Sequence, residues 1–120
     1  MFIIDADSNA IKLTRGDTAK ITVSFTDEQG DPYDMSEDVV KFGVKRSPYD
    51  TECVLEKEID SETGKFELTP ADTESMEYGD YLYDIEIRHT VEGETEEDDD
   101  TVEVYTPIAA AKFSLTYNIL

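Results

Sequence analysis

Few residues in this chain have the chemistry of a catalyst, since it holds one histidine, His89, and one cysteine, Cys53. Nucleophilic catalysis needs a nucleophile within hydrogen-bond reach of an oriented base. Cys53 has no histidine or basic residue close to it in sequence. We therefore interpret His89 as a surface residue at a strand end and Cys53 as a small buried hydrophobe. The sequence predicts no enzymatic activity.

The largest group of possible metal ligands is the acidic run at 92–100, which contains no apolar residue. Acidic loops can bind calcium through several carboxylate oxygens. The candidates in this run are Glu96, Asp98, Asp99 and Asp100, with Asp5 and Asp7 as a weaker second cluster. A solvated hairpin tip without metal is the favoured interpretation, because such dense like charges repel one another. We predict no cofactor.

Four tyrosines form the remaining candidate site, because a tyrosine combines an apolar ring with a polar hydroxyl and suits interfaces. These candidates for an interaction surface are Tyr81, Tyr83, Tyr105 and Tyr117. Packing in the core and pairing across strands is the alternative interpretation of these tyrosines, and it is favoured. The chain has no tryptophan, which weakens a sugar-stacking function.

Alternation of apolar and polar residues with a period of two runs through most of the chain, as in half-buried strands. The pattern predicts strands at 19–26, 39–46, 53–59, 65–69, 80–91, 101–106 and 112–119. The segments 2–5 and 10–14 add one or two edge strands. A corner is predicted at 107–111, because Pro107 does not fit a central strand. One helical turn is predicted at 70–76, with Thr69 as its cap.

Seven or eight short strands at intervals near ten residues predict an all-β fold, an antiparallel immunoglobulin-like β-sandwich. A small barrel is the alternative. The chain has 120 residues, so we expect a single domain spanning 1–120.

The charge of the chain restricts its partners, since 30 acidic and 10 basic residues give a net charge of −20. This charge repels nucleic acid and anionic membrane surfaces, and it favours basic partners or cations. The lone thiol and the absence of a secretory signal at the start of the sequence predict synthesis in a cytoplasm.

Three segments resemble small virion domains of siphophages and prophages that infect Gram-positive bacteria. They are IKLTRGDTAKITVSFTDEQGDPYDMS at 11–36, GKFELTPADTESMEYGDYLYDIEI at 64–87 and TVEVYTPIAAAKFSLTYNI at 101–119. The chain resembles the N-terminal domain of phage baseplate upper proteins and related immunoglobulin-like phage structural proteins. The shared motifs are Gly16-Asp17-Thr18 and the strand that carries Gly79, Tyr81, Tyr83, Asp84 and Ile85. The family usually has a glycine where this chain has Ala109-Ala110-Ala111.

This resemblance implies a non-enzymatic structural protein of the tail, baseplate or head. Such a protein would be made in the bacterial host cytoplasm and would assemble with other virion proteins, in several symmetric copies. A stand-alone binding module for calcium or glycan is the alternative, motivated by the acidic run and the tyrosines.

Overall fold

The computed structural model describes residues 2–4, 8–93, 99–117 and 119. Its regular elements are β1 (Phe2–Ile4), β2 (Ile11–Thr14), β3 (Ala19–Thr22), β4 (Val39–Lys45), β5 (Leu55–Ile59), β6 (Lys65–Leu68), α1 (Pro70–Thr73), β7 (Gly79–Val91) and β8 (Thr101–Thr116). The prediction of an all-β fold is confirmed, because α1 is a single turn of four residues.

The strands form two sheets of unequal size. The larger sheet has the order β1-β2-β8-β7-β4-β5, and the smaller sheet pairs β3 with β6. All neighbours are antiparallel except β2 and β8, which run parallel. The expectation of a wholly antiparallel fold is therefore wrong at this pair. Parallel neighbours need a long crossover connection, and here the whole set of strands from β3 to β7 supplies it.

The apolar core lies between the two sheets, with Phe42 of β4 near its centre. The Phe42 ring centroid lies 4.9 Å from that of Phe66 in the smaller sheet. It lies 5.3 Å from Tyr83 and 6.2 Å from Phe113, both in the larger sheet. Burial of one such ring stabilises the fold by roughly 1.5–3 kcal/mol. These contacts join both sheets in one core.

Strand β7 confirms the alternation that predicted it. Its inward-facing residues Tyr81, Tyr83, Ile85 and Ile87 are buried, whereas the residues between them are exposed or half-buried. β4 follows the same rule, and its Phe42 lies opposite Ile85.

The C-terminal part of the chain differs from its prediction. β8 runs without interruption from Thr101 to Thr116, so the predicted corner at 107–111 is wrong. Pro107 is tolerated because β2 pairs with β8 only from Phe113 to Thr116, and no other described strand lies on that side. An edge strand has no ladder hydrogen bond to lose at such a position.

Two register shifts between β7 and β8 replace the predicted corner. Ala110 lies within the first shift and has a φ of +50°, in the left-handed region that favours glycine. The Asp84 carboxylate accepts the Ala110 N–H at 2.5 Å. This side chain therefore satisfies a backbone group that the irregular ladder leaves exposed.

Strand β3 ends at Thr22, four residues earlier than predicted, although Val23 and Phe25 still pack against the core. The chain then forms a hairpin-like segment, the 25–33 loop, in which the Phe25 carbonyl accepts the Tyr33 N–H at 2.9 Å. Its tip is held by the Asp27 carboxylate, which accepts two backbone N–H groups of the same turn at 2.9 and 3.0 Å. The 25–33 loop is thus an ordered turn.

The predicted helical turn is present as α1. The Thr69 N–H donates to the Asp72 carboxylate at 2.7 Å, which is half of a capping box. Asp72 also pairs with Lys57 at 2.8 Å, and this contact explains why a lysine occupies a half-buried position in β5. The buried Thr73 hydroxyl accepts the Gly16 N–H at 3.1 Å and so holds the glycine turn before β3.

Candidate functional site

The four candidate tyrosines divide into two buried and two exposed residues. Tyr81 and Tyr83 are only 4% and 3% exposed. Their hydroxyls donate to the backbone carbonyls of Glu77, at 2.7 Å, and Asn9, at 2.5 Å. Burial raises the pKa of Tyr83 to about 12. These two residues serve the core, as the favoured interpretation proposed.

The other two tyrosines lie at different places along the C-terminal part of the chain. Tyr117 is 74% exposed, and its ring packs against Tyr78 with centroids 4.1 Å apart. Tyr105 is 41% exposed, and its ring meets Tyr33 edge-on at 6.3 Å. Tyr105 lines a cleft beside the 25–33 loop, together with Tyr33.

Four of the six candidate calcium ligands lie outside the described residues. They are Glu96 and Asp98 of the acidic run and Asp5 and Asp7 of the second cluster. Asp99 and Asp100 are described and exposed, and the Asp100 carboxylate accepts the Gly93 N–H at 3.1 Å. The described residues bring no three metal-ligating side chains together. Calcium binding stays a prediction from the sequence.

His89 belongs to a polar cluster that the sequence analysis did not predict. Its Nδ1 lies 2.7 Å from one oxygen of Asp38, whose side chain is only 2% exposed. The Tyr33 hydroxyl donates to the other Asp38 oxygen at 2.6 Å. Asp38 thus accepts hydrogen bonds from two aromatic side chains and holds both of them in place.

Asp38 shifts the proton equilibria of both partners. The hydrogen bond to Asp38 raises the pKa of His89, and the nearby carboxylates of Glu37 and Glu103 act in the same direction. Burial and the hydrogen bond to Asp38 raise the pKa of Tyr33 well above its ordinary value. The contact with Asp38 therefore favours the cationic form of His89.

Cys53 and His89 do not form a nucleophile–base pair. Cys53 is half-buried and packs on Gly43, where an added Cβ would lie 3.1 Å from its sulfur. Gly43 alternates with the buried residues of β4 and so faces the outer side of the sheet, whereas His89 follows the inward-facing parity of Ile87. Partial burial raises the pKa of the Cys53 thiol, which disfavours the reactive thiolate.

A cleft with a volume of about 590 Å³ lies beside the Asp38 cluster. One wall is the 25–33 loop, with Phe25, Glu28 and Tyr33, and the opposite wall is β8, with Tyr105 and Pro107. Its volume falls in the range of roughly 300–1,000 Å³ that is usual for ligand clefts. The sequence did not indicate this site, because its two walls are about 80 residues apart along the chain.

In comparisons with known proteins, no family model, no curated protein and no solved structure matches the chain. The described residues include no helix of the length and apolarity that a membrane crossing requires.

Proposed function

We propose that the chain is a non-enzymatic assembly module of a phage or prophage virion, in its tail, baseplate or head. It docks on other virion proteins through the outer edge of β8 and works in several copies within the particle. Its synthesis takes place in the cytoplasm of the bacterial host.

The exposed edge of β8 is the observation that carries this proposal. Every residue from Thr101 to Pro107 is exposed, and no described strand pairs with this stretch on the side away from β7. Unpaired strand edges attract a further strand through their free N–H and C=O groups. Apolar side chains accompany this edge, with Val102 57%, Val104 52% and Tyr105 41% exposed. The edge, defined as residues 101–107, is named the β8 edge below.

The strand order supports a comparison with immunoglobulin-like modules. The neighbours β8-β7-β4-β5 follow the order of strands G, F, C and C′ of a variable-type domain, and the pair β3–β6 corresponds to strands B and E. We propose on this ground that the fold is an immunoglobulin-like sandwich. Such domains commonly serve as binding modules, and the resemblance to baseplate upper proteins gives this module its virion context.

The net charge of −20 supports a partner with a basic surface. Like-charged copies repel one another in solution, and a complementary surface removes this repulsion on docking. We therefore expect copies of the chain to come together in the assembled particle, where a basic partner surface offsets their repulsion.

Incorporation into particles tests the proposal. Phage particles would be produced with the wild-type chain or with the double substitution Val102→Gln and Val104→Gln, purified by sedimentation, and quantified by mass spectrometry. We expect the wild-type chain in the particle fraction and at least a fivefold loss for the double variant, because its exposed apolar contacts become polar.

Val54→Gln is the matched control, because Val54 is 50% exposed but lies outside the β8 edge. It is expected to enter particles like the wild type, and circular dichroism would confirm that all three chains are folded. Absence of the wild-type chain from purified particles would refute the virion function. Equal incorporation of the double variant would refute docking through the β8 edge.

A further inference from the structure

The cleft beside the β8 edge has the chemistry of a cation site. Its apolar lining consists mainly of three aromatic rings, those of Phe25, Tyr33 and Tyr105, together with Ile87 and Pro107. Aromatic faces attract Lys and Arg side chains through the negative face of the ring. The cleft therefore offers a cation aromatic rings, which attract it through cation–π contacts.

The two tyrosine rings are held in place before any ligand binds. The Tyr33 hydroxyl donates to the buried Asp38, and the Tyr105 hydroxyl donates to Glu103. The two ring planes stand at 78° to each other. Because both hydroxyl protons are already donated to carboxylates, neither hydroxyl can donate a hydrogen bond to a ligand. The ring surfaces left open to the cleft can still make cation–π contacts.

The charges along the cleft also favour a cationic ligand. Asp27 and Glu28 line it, and no lysine, arginine or histidine among the described residues does so. Asp27 is engaged by backbone N–H groups of its own turn, whereas Glu28 is exposed on the surface of the loop. A cation bound in this cleft, beside the Tyr33–Tyr105 pair, would share the cleft with these carboxylates, in a chain that carries a net charge of −20.

We propose that this cleft binds an arginine or lysine side chain of a basic, extended segment of a partner protein. Tyr105 belongs to both the cleft and the β8 edge, so a strand that pairs with the edge passes the mouth of the cleft. In an extended segment every second side chain points to the same face. The edge then supplies backbone pairing, and the cleft selects a cationic residue. The proposal deepens the assembly function and rests on it.

Peptide binding followed by NMR tests the proposal on the full chain. The probe is a blocked peptide, Thr-Val-Arg-Val-Thr, compared with the same peptide in which neutral citrulline replaces arginine. We expect the arginine peptide to shift the ring signals of Tyr33 and Tyr105 and to bind at least fivefold more tightly than the citrulline peptide. A lysine peptide is expected to behave like the arginine peptide.

Two substitutions with matched controls locate the binding. Tyr105→Leu and Glu28→Gln are each expected to lower the affinity for the arginine peptide at least threefold. Tyr49→Leu and Glu62→Gln change exposed residues elsewhere and are expected to leave its affinity unchanged. Two-dimensional spectra of each variant show whether it is folded.

The outcomes separate the cleft from the assembly function. Equal affinity for the arginine and citrulline peptides, or no binding of either, would overturn the cation site. Equal affinity with shifts along residues 101–107 would leave docking at the β8 edge intact. If the wild-type chain is missing from virions, the proposed virion function is refuted. The peptide data then still show whether the cleft binds a cationic side chain.

Discussion

At the scale of single residues, Asp38 organises a buried polar cluster. It accepts hydrogen bonds from Tyr33 and His89, which come from the loop before β4 and from β7. A buried carboxylate without partners costs several kcal/mol, so these two bonds make its burial possible. Through Tyr33, the same carboxylate fixes one wall of the cleft.

The raised pKa of His89 predicts a specific dependence of stability on pH. The cationic form is favoured in the folded chain by Asp38, Glu37 and Glu103, whereas an unfolded chain has a histidine pKa of about 6.5. The stabilisation by His89 is therefore fully present below about pH 6.5 and is lost as the pH rises through the higher folded-state pKa.

Urea denaturation of the wild type and of His89→Gln, from about pH 5 to about pH 9, measures this difference. The wild type is expected to have its largest advantage at the acidic end, and NMR titration should place the His89 pKa above about 6.5. Asp38→Asn should move that pKa back toward the ordinary value. A His89 pKa at or below the unfolded value would contradict the hydrogen bond to Asp38.

Sequence patterns predict the residues that obey local rules and miss those that meet through the fold. The alternation around Phe42 and Ile85 predicts their burial, because one face of each strand must enter the core. The contact of Tyr33 and Asp38 with His89 follows no spacing rule, because it depends on how a loop packs against β7. For the same reason, the sequence predicts Tyr105 as an interaction residue but not the cleft that it lines.

At the scale of elements, the turn between β5 and β6 depends on Gly64. Its φ is +75°, and a Cβ at this position would lie 2.1 Å from the Val23 carbonyl oxygen. Val23 is the first residue after β3. Its N–H donates to the Gly64 carbonyl oxygen at 2.8 Å. Gly64 therefore lets the two strands of the smaller sheet approach each other at this end.

A pair of glycine substitutions tests this close approach. Gly30 also has a positive φ, +83°, but no atom lies within 4 Å of the place that a Cβ would occupy there. Gly30→Ala is expected to cost about 1 kcal/mol, the strain of a left-handed alanine. Gly64→Ala is expected to cost at least about 2 kcal/mol, because steric overlap adds to that strain. Equal losses in urea denaturation would contradict the packing of Gly64 on Val23.

The irregularity in β8 predicts a substitution that increases the stability of the folded chain. Ala110 has a φ of +50°, whereas Ala109 does not share this positive φ. Ala110→Gly removes about 1–2 kcal/mol of strain from the folded chain. Glycine also makes the unfolded chain more flexible, which costs roughly 0.4–1 kcal/mol of stability. The free energy of unfolding is therefore expected to rise by roughly 0.5 kcal/mol.

Ala109→Gly is the control within the same register shift and is expected to destabilise the chain by about 0.5–1 kcal/mol. Ala109 lacks the positive φ, so glycine there relieves no strain and makes the unfolded chain more flexible. Thermal unfolding of both variants measures the two effects. Destabilisation by Ala110→Gly as large as that by Ala109→Gly would argue against the left-handed conformation.

The same strand shows why local rules misplace an element boundary. Pro107 predicts a break wherever a strand has partners on both sides, and the sequence does not reveal which strands lie at an edge. β8 extends beyond the end of β2, so on the side away from β7 no described strand pairs with it at Pro107. The chain therefore continues as a strand through the predicted corner, with two register shifts against β7.

At the scale of the whole molecule, the fold is elongated, with extents of 59 × 30 × 22 Å. The 16 residues of β8 span about 50 Å at the usual rise per residue, which is close to the longest dimension. The core holds one half of this strand, and the other half presents the β8 edge. This shape gives a small domain a long surface for docking, while its net charge of −20 limits unspecific contacts between copies.

Hydrogen–deuterium exchange in assembled particles tests docking through the β8 edge most directly. Amides of residues 101–106, the part of the β8 edge with backbone N–H groups, are expected to exchange at least tenfold more slowly in the particle than in the isolated chain, because a partner covers this edge. β5 at the opposite edge of the larger sheet is the internal reference and is expected to change little. Unchanged exchange at residues 101–106 in particles that contain the chain would contradict docking at the β8 edge.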